Sequence, residues 1–227
     1  RWAEWNGKYR DDMRSFLKGD YWFAEVAANR LTGSADLYSG QYQGYDSSIN
    51  FLTCHDGFSL LDLYSYNEKH NEDNGWNNTD GSDDNRSWNC GAEGETAYPK
   101  IQKLRFQMIK NACMSLMCSR GTPMFLSGDE FGDTRFGNNN PYCQDNEISW
   151  LNWNRLEENR ELYSFFKKMI WFRREHPAIR SDQKQSATGF PAVSVHTNRP
   201  WDSTIGSETK ALAICYAGKT VQGEDLV

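Results

Sequence analysis

Apolar and polar positions along this chain follow two different rhythms. Up to about residue 180, short apolar runs give way to polar loops and then to stretches with helical spacing. Tyr9, Met13, Phe16 and Leu17 share one helical face, and Gly19 offers a stop. A second helix is predicted over about residues 21–31, ending before Gly33, with loop over 33–47. Residues 49–54 form an apolar run between polar neighbours, the pattern of a buried strand. A short helix is expected over 59–67. Ile101, Leu104, Met108, Ala112, Leu116 and Met117 then recur at helical spacing over 99–119, and Gly121 and Pro123 close that helix. Residues 124–126 read as another short strand. A last helix over 157–175 is expected to bury Leu162, Phe165, Phe166, Met169 and Ile170, and Pro177 terminates it.

The repeated order of strand, loop and helix predicts parallel βα units. After about residue 181 the period changes to that of strands. Val193 and Val195 alternate with polar residues, and 211–216 reads as a further strand. The expected organisation is an α/β unit over 1–180 and the beginning of an antiparallel β domain over 181–227.

Two polar loops interrupt the α/β part. Residues 68–94 are rich in Asn, Asp and Gly and contain Trp76 and Trp88. Stretches this long without regular structure are usually functional or disordered. The two tryptophans favour an ordered loop. Residues 132–147 hold Asn138, Asn139 and Asn140 in succession. These are Asx-turn residues or amide ligands for hydroxyl groups. The run Asp80-Gly81-Ser82-Asp83-Asp84 lacks the spacing and terminal Glu of a calcium loop and reads as solvated. Asp129 and Glu130 would face opposite sides of a strand, which excludes a cooperating acid pair. They are expected to hold the Asn-rich loop. No metal or cofactor site is predicted.

Composition narrows the function classes. The 227 residues carry a net charge of −6, which argues against nucleic acid as a partner. No apolar run approaches the roughly 20 residues of a membrane-spanning helix. The six cysteines form no C-x-x-C pair and read as reduced thiols of a cytoplasmic protein. The first residue is Arg, as expected of a piece of something longer. Aromatic residues make up 14% of the chain; most are read as core packing, the sharper reading is that some exposed rings stack on sugar faces, and composition alone does not separate the two.

The segment from Ser48 to Gly57 carries the sharpest chemical signal. Its apolar run ends in His55-Asp56-Gly57, the way a buried parallel strand delivers a carboxylate to the mouth of an α/β barrel. The competing reading makes Asp56 a helix cap and His55 a strand-end residue.

Several stretches, in order, resemble the isoamylase and glycogen-debranching branch of the α-amylase superfamily of glycoside hydrolases. They are Ala3-Glu4-Trp5-Asn6 with Tyr9-Arg10-Asp11, then Asn50 to Gly57, and then Tyr66 to Asn71. Asn85 to Gly91, Gly128 to Gly132 and Gly137 to Trp150 complete the set. The resemblance implies the C-terminal part of a (β/α)8 barrel, about strands six to eight, followed by the start of a β-sandwich. In that family the nucleophilic Asp follows strand four and the general-acid Glu follows strand five, both upstream of anything matched here. His55 and Asp56 match the third catalytic position. Retaining glycosidases use two carboxyl groups roughly 5 Å apart. A third carboxylate stabilises the oxocarbenium-like transition state.

The resemblance therefore implies a retaining α-1,6 hydrolase of branched, glycogen-like α-glucan. Asp56 would be the transition-state stabiliser, and His55, Asn140, Tyr142, Asp145, Trp76 and Trp88 would contact substrate. Trp76 and Trp88 are read as glucose platforms or as pins for their loop. The isolated chain is expected to be inactive. An oligomer or a separate upstream chain is expected to cover the strand edges of a partial barrel. Two rival functions are an α-1,4-acting amylase or transglycosylase of the same superfamily and a non-catalytic glucan-binding remnant.

Overall fold

The computed structural model describes residues 2–39, 44–181 and 189–218. Residues 40–43 of the predicted loop, and 182–188 and 219–227 of the expected β domain, lie outside the described residues. The chain forms two compact units, one from residues 1–50, 115–123 and 169–227, the other from residues 51–114 and 124–168.

In the first unit, β1 (Glu4–Trp5) pairs in parallel with β2 (Ser48–Phe51), and β3 (Thr122–Met124) completes a sheet of order β1-β2-β3. Helix α1 (Gly7–Lys18) begins at Asn6, whose side chain accepts the Tyr9 N–H at 2.8 Å. It ends at Gly19 in the left-handed conformation, φ 92°, where the glycine N–H reaches the Ser15 and Phe16 carbonyls. This is the stop the sequence marks. Helix α2 (Phe23–Leu31) buries Ala24, Ala27, Ala28 and Leu31. It starts later than predicted because Trp22 takes a left-handed turn, φ 72°.

The face of β2 that carries Ser48 and Asn50 is buried yet polar. Asn6 donates to the Ser48 hydroxyl at 2.8 Å, Ser48 donates to Asn50 at 2.7 Å, and Asn50 donates to the Arg120 carbonyl at 2.7 Å. A chain of satisfied amides and hydroxyls replaces apolar packing there. Gly121 fits beside it at φ +114°, where a Cβ would stand 2.6 Å from Asn50 Nδ2. Arg173 closes the end of helix α4 (Pro99–Met117), donating to the carbonyls of Met117, Ser119 and Gly121 at 2.7, 2.7 and 2.6 Å. Those carbonyls have no partner within the helix. Beyond Pro177, β4 (Val193–His196) and β5 (Ala213–Tyr216) pair antiparallel, as the alternation predicts.

In the second unit, helix α3 (Leu60–Leu63) is capped by Ser59, which accepts the Asp62 N–H at 3.2 Å. It is shorter than the predicted 59–67. The Trp88 N–H takes the Leu63 carbonyl and Arg105 takes the Ser65 carbonyl, so loop partners replace helical ones. α4 buries Met108, Ile109, Ala112 and Cys113 in this unit. The predicted final helix divides at Asn159 into α5 (Asn154–Glu158) and α6 (Arg160–Glu175), and the Asn159 amide donates to the Phe131 carbonyl at 2.9 Å. Leu162 and Phe166 are buried, but Ile170 is 40% exposed, contrary to expectation. The second predicted strand, 124–126, is also displaced. The Leu126 N–H donates to Asp129 and so belongs to the following turn.

Candidate active site

After β2 the chain stays buried through Phe51, Leu52, Thr53 and Cys54, and it is buried again at Phe58 and Ser59. Between these anchors His55 and Asp56 emerge, with side chains 69% and 75% exposed and 3.3 Å between His55 Nε2 and Asp56 Oδ2. The paired strand stops at Phe51, short of the predicted 49–54, so Asp56 stands on a turn beyond it. That turn is bracketed by the Asn-rich loop. Arg135 Nη1 donates to the His55 carbonyl at 3.0 Å, and the Gly57 N–H donates to the Asn139 carbonyl at 2.9 Å.

Two buried carboxyl groups underpin the turn. Asp129 accepts from the Thr53 hydroxyl, from the Leu60 N–H at 2.8 Å and from the Leu126 N–H at 3.1 Å. Burial pushes its pKa up to about 6, against the pull of the Thr53 hydrogen bond. Asp62 is fully buried and accepts from the Thr134 hydroxyl and from the Arg135 N–H at 2.8 Å. Burial raises its pKa too, and the Thr134 hydrogen bond opposes the shift. The strand geometry expected for Asp129 and Glu130 is not found. They lie on a single turn of 3-10 helix, Asp129–Phe131. Asp129 holds the turn after β2 rather than the Asn-rich loop.

Both Asn-rich loops are built on each other's amides. Asn71 and Asn139 exchange two bonds: Asn71 Nδ2 donates to Asn139 Oδ1 at 2.8 Å, and the Asn139 N–H donates to Asn71 Oδ1 at 2.9 Å. Asn139 Nδ2 also reaches Asn85 and the Ser82 carbonyl, each at 2.8 Å. Asn138 donates to Asn74 at 2.9 Å, while Asn74 and Asn140 both donate to Asp80 Oδ2, at 2.8 and 2.9 Å. Asn138 and Asn139 are 1% and 2% exposed, so their amides serve the loop; Asn140 is half-buried. Residues 81–84 of the Asp80-to-Asp84 run are exposed, as the solvated reading expects, while Asp80 is half-buried. Asp80 anchors the network, and a Cβ on Gly81 would sit 2.2 Å from Asn139 Oδ1.

Exposed rings surround these loops. Trp76 and Tyr142 are 59% and 68% exposed, joined by Trp76 Nε1 donating to the Tyr142 hydroxyl at 3.1 Å. Asp145 is exposed and accepts from Trp150 Nε1 at 3.0 Å. Trp88 is half-buried, and its backbone N–H at Leu63 ties its loop to α3. Nearby, Glu93 is pushed up by burial but held below the usual range overall, because it accepts the Asn67 and Glu68 N–H groups and the Asn89 amide.

The arrangement presents one solvent-facing carboxylate beside an imidazole on a rigid floor, with aromatic faces and amides on the loops of the same unit. That suits recognition of a polyhydroxylated ring and stabilisation of positive charge on it. Sequence reasoning missed Arg135, Asp62, Asn71, Asn74, Asn85 and Trp150. The abundance of Asn in both loops was the available signal for the asparagines. Nothing in sequence spacing marks Arg135 or Asp62.

No family model matches the chain. The glycogen operon protein GlgX homolog of Mycobacterium tuberculosis is 52% identical over 179 residues, 79% of this chain and 25% of that protein. The chloroplastic isoamylase 3 of Oryza sativa is 51% identical over 184 residues, 81% of this chain and 24% of that protein. A pullulanase structure from Bacillus acidopullulyticus superposes with TM-score 0.63 at 19% identity, covering 94% of this chain and 22% of that one. The chain thus spans about a quarter of the length of the curated relatives it matches, and it shares the fold of the corresponding part of pullulanase. Half of its aligned residues agree with GlgX and isoamylase sequences, and it belongs to the isoamylase and glycogen-debranching branch of the α-amylase superfamily.

Proposed function

We propose that this chain supplies the third carboxylate of an α-glucan debranching glycoside hydrolase that cleaves α-1,6 linkages with retention. The observation that carries the reading is Asp56, 75% exposed and paired with His55 beyond a parallel strand, in a chain about half identical to isoamylase-type proteins. On this reading β1, β2 and β3 correspond to about strands six to eight of a (β/α)8 barrel, residues 1–180 to its last part, and 181–227 to the start of a β-sandwich. Asp56 stabilises the oxocarbenium-like transition state while His55 hydrogen-bonds the sugar. The nucleophile and the acid come from elsewhere in the complete protein, so the chain alone does not hydrolyse glucan. Trp76, Tyr142, Asn140 and Asp145 contact glucose units, and the substrate is a branched, glycogen-like α-glucan.

The test is reducing-sugar release from glycogen and from linear α-1,4-glucan by the complete protein, by its Asp56→Asn variant and by this chain alone. Turnover of branched glucan that falls by about a thousandfold or more in Asp56→Asn supports the reading. Hydrolysis by this chain alone would overturn it, as would an undiminished Asp56→Asn enzyme.

A further inference from the structure

We infer that Arg135 is a positioning residue for Asp56, acting through the backbone of the His55–Gly57 turn. The inference rests on the debranching reading for its functional consequence.

The Asp56 side chain meets His55 at 3.3 Å and is otherwise largely solvent-facing, so packing does little to aim it. Its direction is set by its own backbone, where Cys54 Sγ donates to the Asp56 carbonyl at 3.3 Å, and by the backbone on either side. The residue before it is held at its carbonyl by Arg135 Nη1, and the residue after it is held at its N–H by the Asn139 carbonyl. Both constraints come from one segment, 134–139. The second is a backbone bond that no side-chain change removes. The first depends on one guanidinium.

That guanidinium starts from a rigid base. The Arg135 N–H is fixed at 2.8 Å to Asp62, which is fully buried and also takes the Thr134 hydroxyl. Phe136 follows in a left-handed conformation, φ 56°, costly for an aromatic residue, with its N–H on Thr134 Oγ1 at 3.0 Å. Gly137 then passes so close to Tyr66 that a Cβ would meet the ring at 2.8 Å. Strained backbone persists only where its surroundings over-determine it. The chain of constraint therefore runs from Asp62 through the Arg135 backbone and side chain to the His55 carbonyl. A displacement of about 1 Å in a catalytic group can cost a hundredfold in rate.

The experiment compares Arg135→Ala and Arg135→Lys in the complete protein, beside Asp56→Asn and the double variant. Arg135→Ala is expected to lower kcat by about tenfold or more, with KM within about twofold. Millimolar guanidinium is expected to restore part of the loss, and Arg135→Lys to fall between. In the Asp56→Asn background Arg135→Ala should cost nothing further. A kcat within about twofold of wild type, while Asp56→Asn is inactive, overturns the inference. A second measurement does not depend on activity. Hydrogen exchange at Gly57 in the complete protein should quicken in Arg135→Ala and return towards wild type with guanidinium; unchanged exchange overturns the inference. An active Asp56→Asn protein whose Gly57 exchange still responds to Arg135 refutes the debranching reading and leaves the positioning intact.

Discussion

Asp129 shows how much a single buried side chain contributes to this fold. It collects a hydroxyl and two backbone N–H groups from Thr53, Leu60 and Leu126, yet burial still raises its pKa to about 6. A carboxyl whose folded pKa exceeds its unfolded one binds more protons in the native state between those values. Its stabilising contribution is complete below the unfolded pKa of about 4 and is lost as pH rises through about 6. The loss approaches about 3 kcal/mol. Urea midpoints measured from pH 4.5 to pH 7.5 should fall with pH in the wild type and fall less steeply in Asp129→Asn. Equal slopes would mean that Asp129 does not titrate in that window. Asp62 and Asp133, also raised by burial, act in the same direction in both proteins, so the difference isolates Asp129.

The two Asn-rich loops act as one element. Asn139 alone exchanges two bonds with Asn71 and donates to Asn85 and the Ser82 carbonyl. Removing its side chain takes an acceptor from buried Asn71 and a donor from buried Asn85, at about 1–3 kcal/mol for each group that water does not reach. Asn139→Ala should therefore loosen residues 71–85 together with 138–140. Limited proteolysis should cut the variant within 71–85 faster than the wild type, and cutting confined to 138–140 would show that the loops are independent. The element scale also shows what the pattern of residues can carry. Gly19, Pro177 and the 101–117 stripe announce their helices because capping and amphipathic periodicity are local. The helix break at Asn159 and the short α3 are not announced. Each depends on a partner distant in sequence: the Phe131 carbonyl for Asn159, and Trp88 and Arg105 around α3.

At the scale of the molecule, the sheet of order β1-β2-β3 has outer strands of two and three residues. In the same unit Trp2 and Trp22 are 93% and 77% exposed. Unpaired strand edges and exposed indoles are both surfaces that association can cover, and we expect this chain to associate with another copy or with a separately supplied part of the same fold. Sedimentation velocity across a concentration series should show mass rising above that of one chain. A single-chain species at all concentrations would count against it.

By itself the sequence determined the local rhythm: the stop of α1 at Gly19, the apolar stripe of α4, the alternation in β4, and that two asparagine-rich loops follow two short apolar runs. These follow from forces that act over a few residues. Tertiary structure decided which carboxyl groups are buried and which face solvent, because that depends on residues brought together from far along the chain. Asp56 and Asp129 both follow an apolar run, yet one stands in water while the other is surrounded by Thr53, Leu60 and Leu126. The pairing of Arg135 with His55 has the same origin, since a side chain finds a backbone carbonyl only after the fold has placed both.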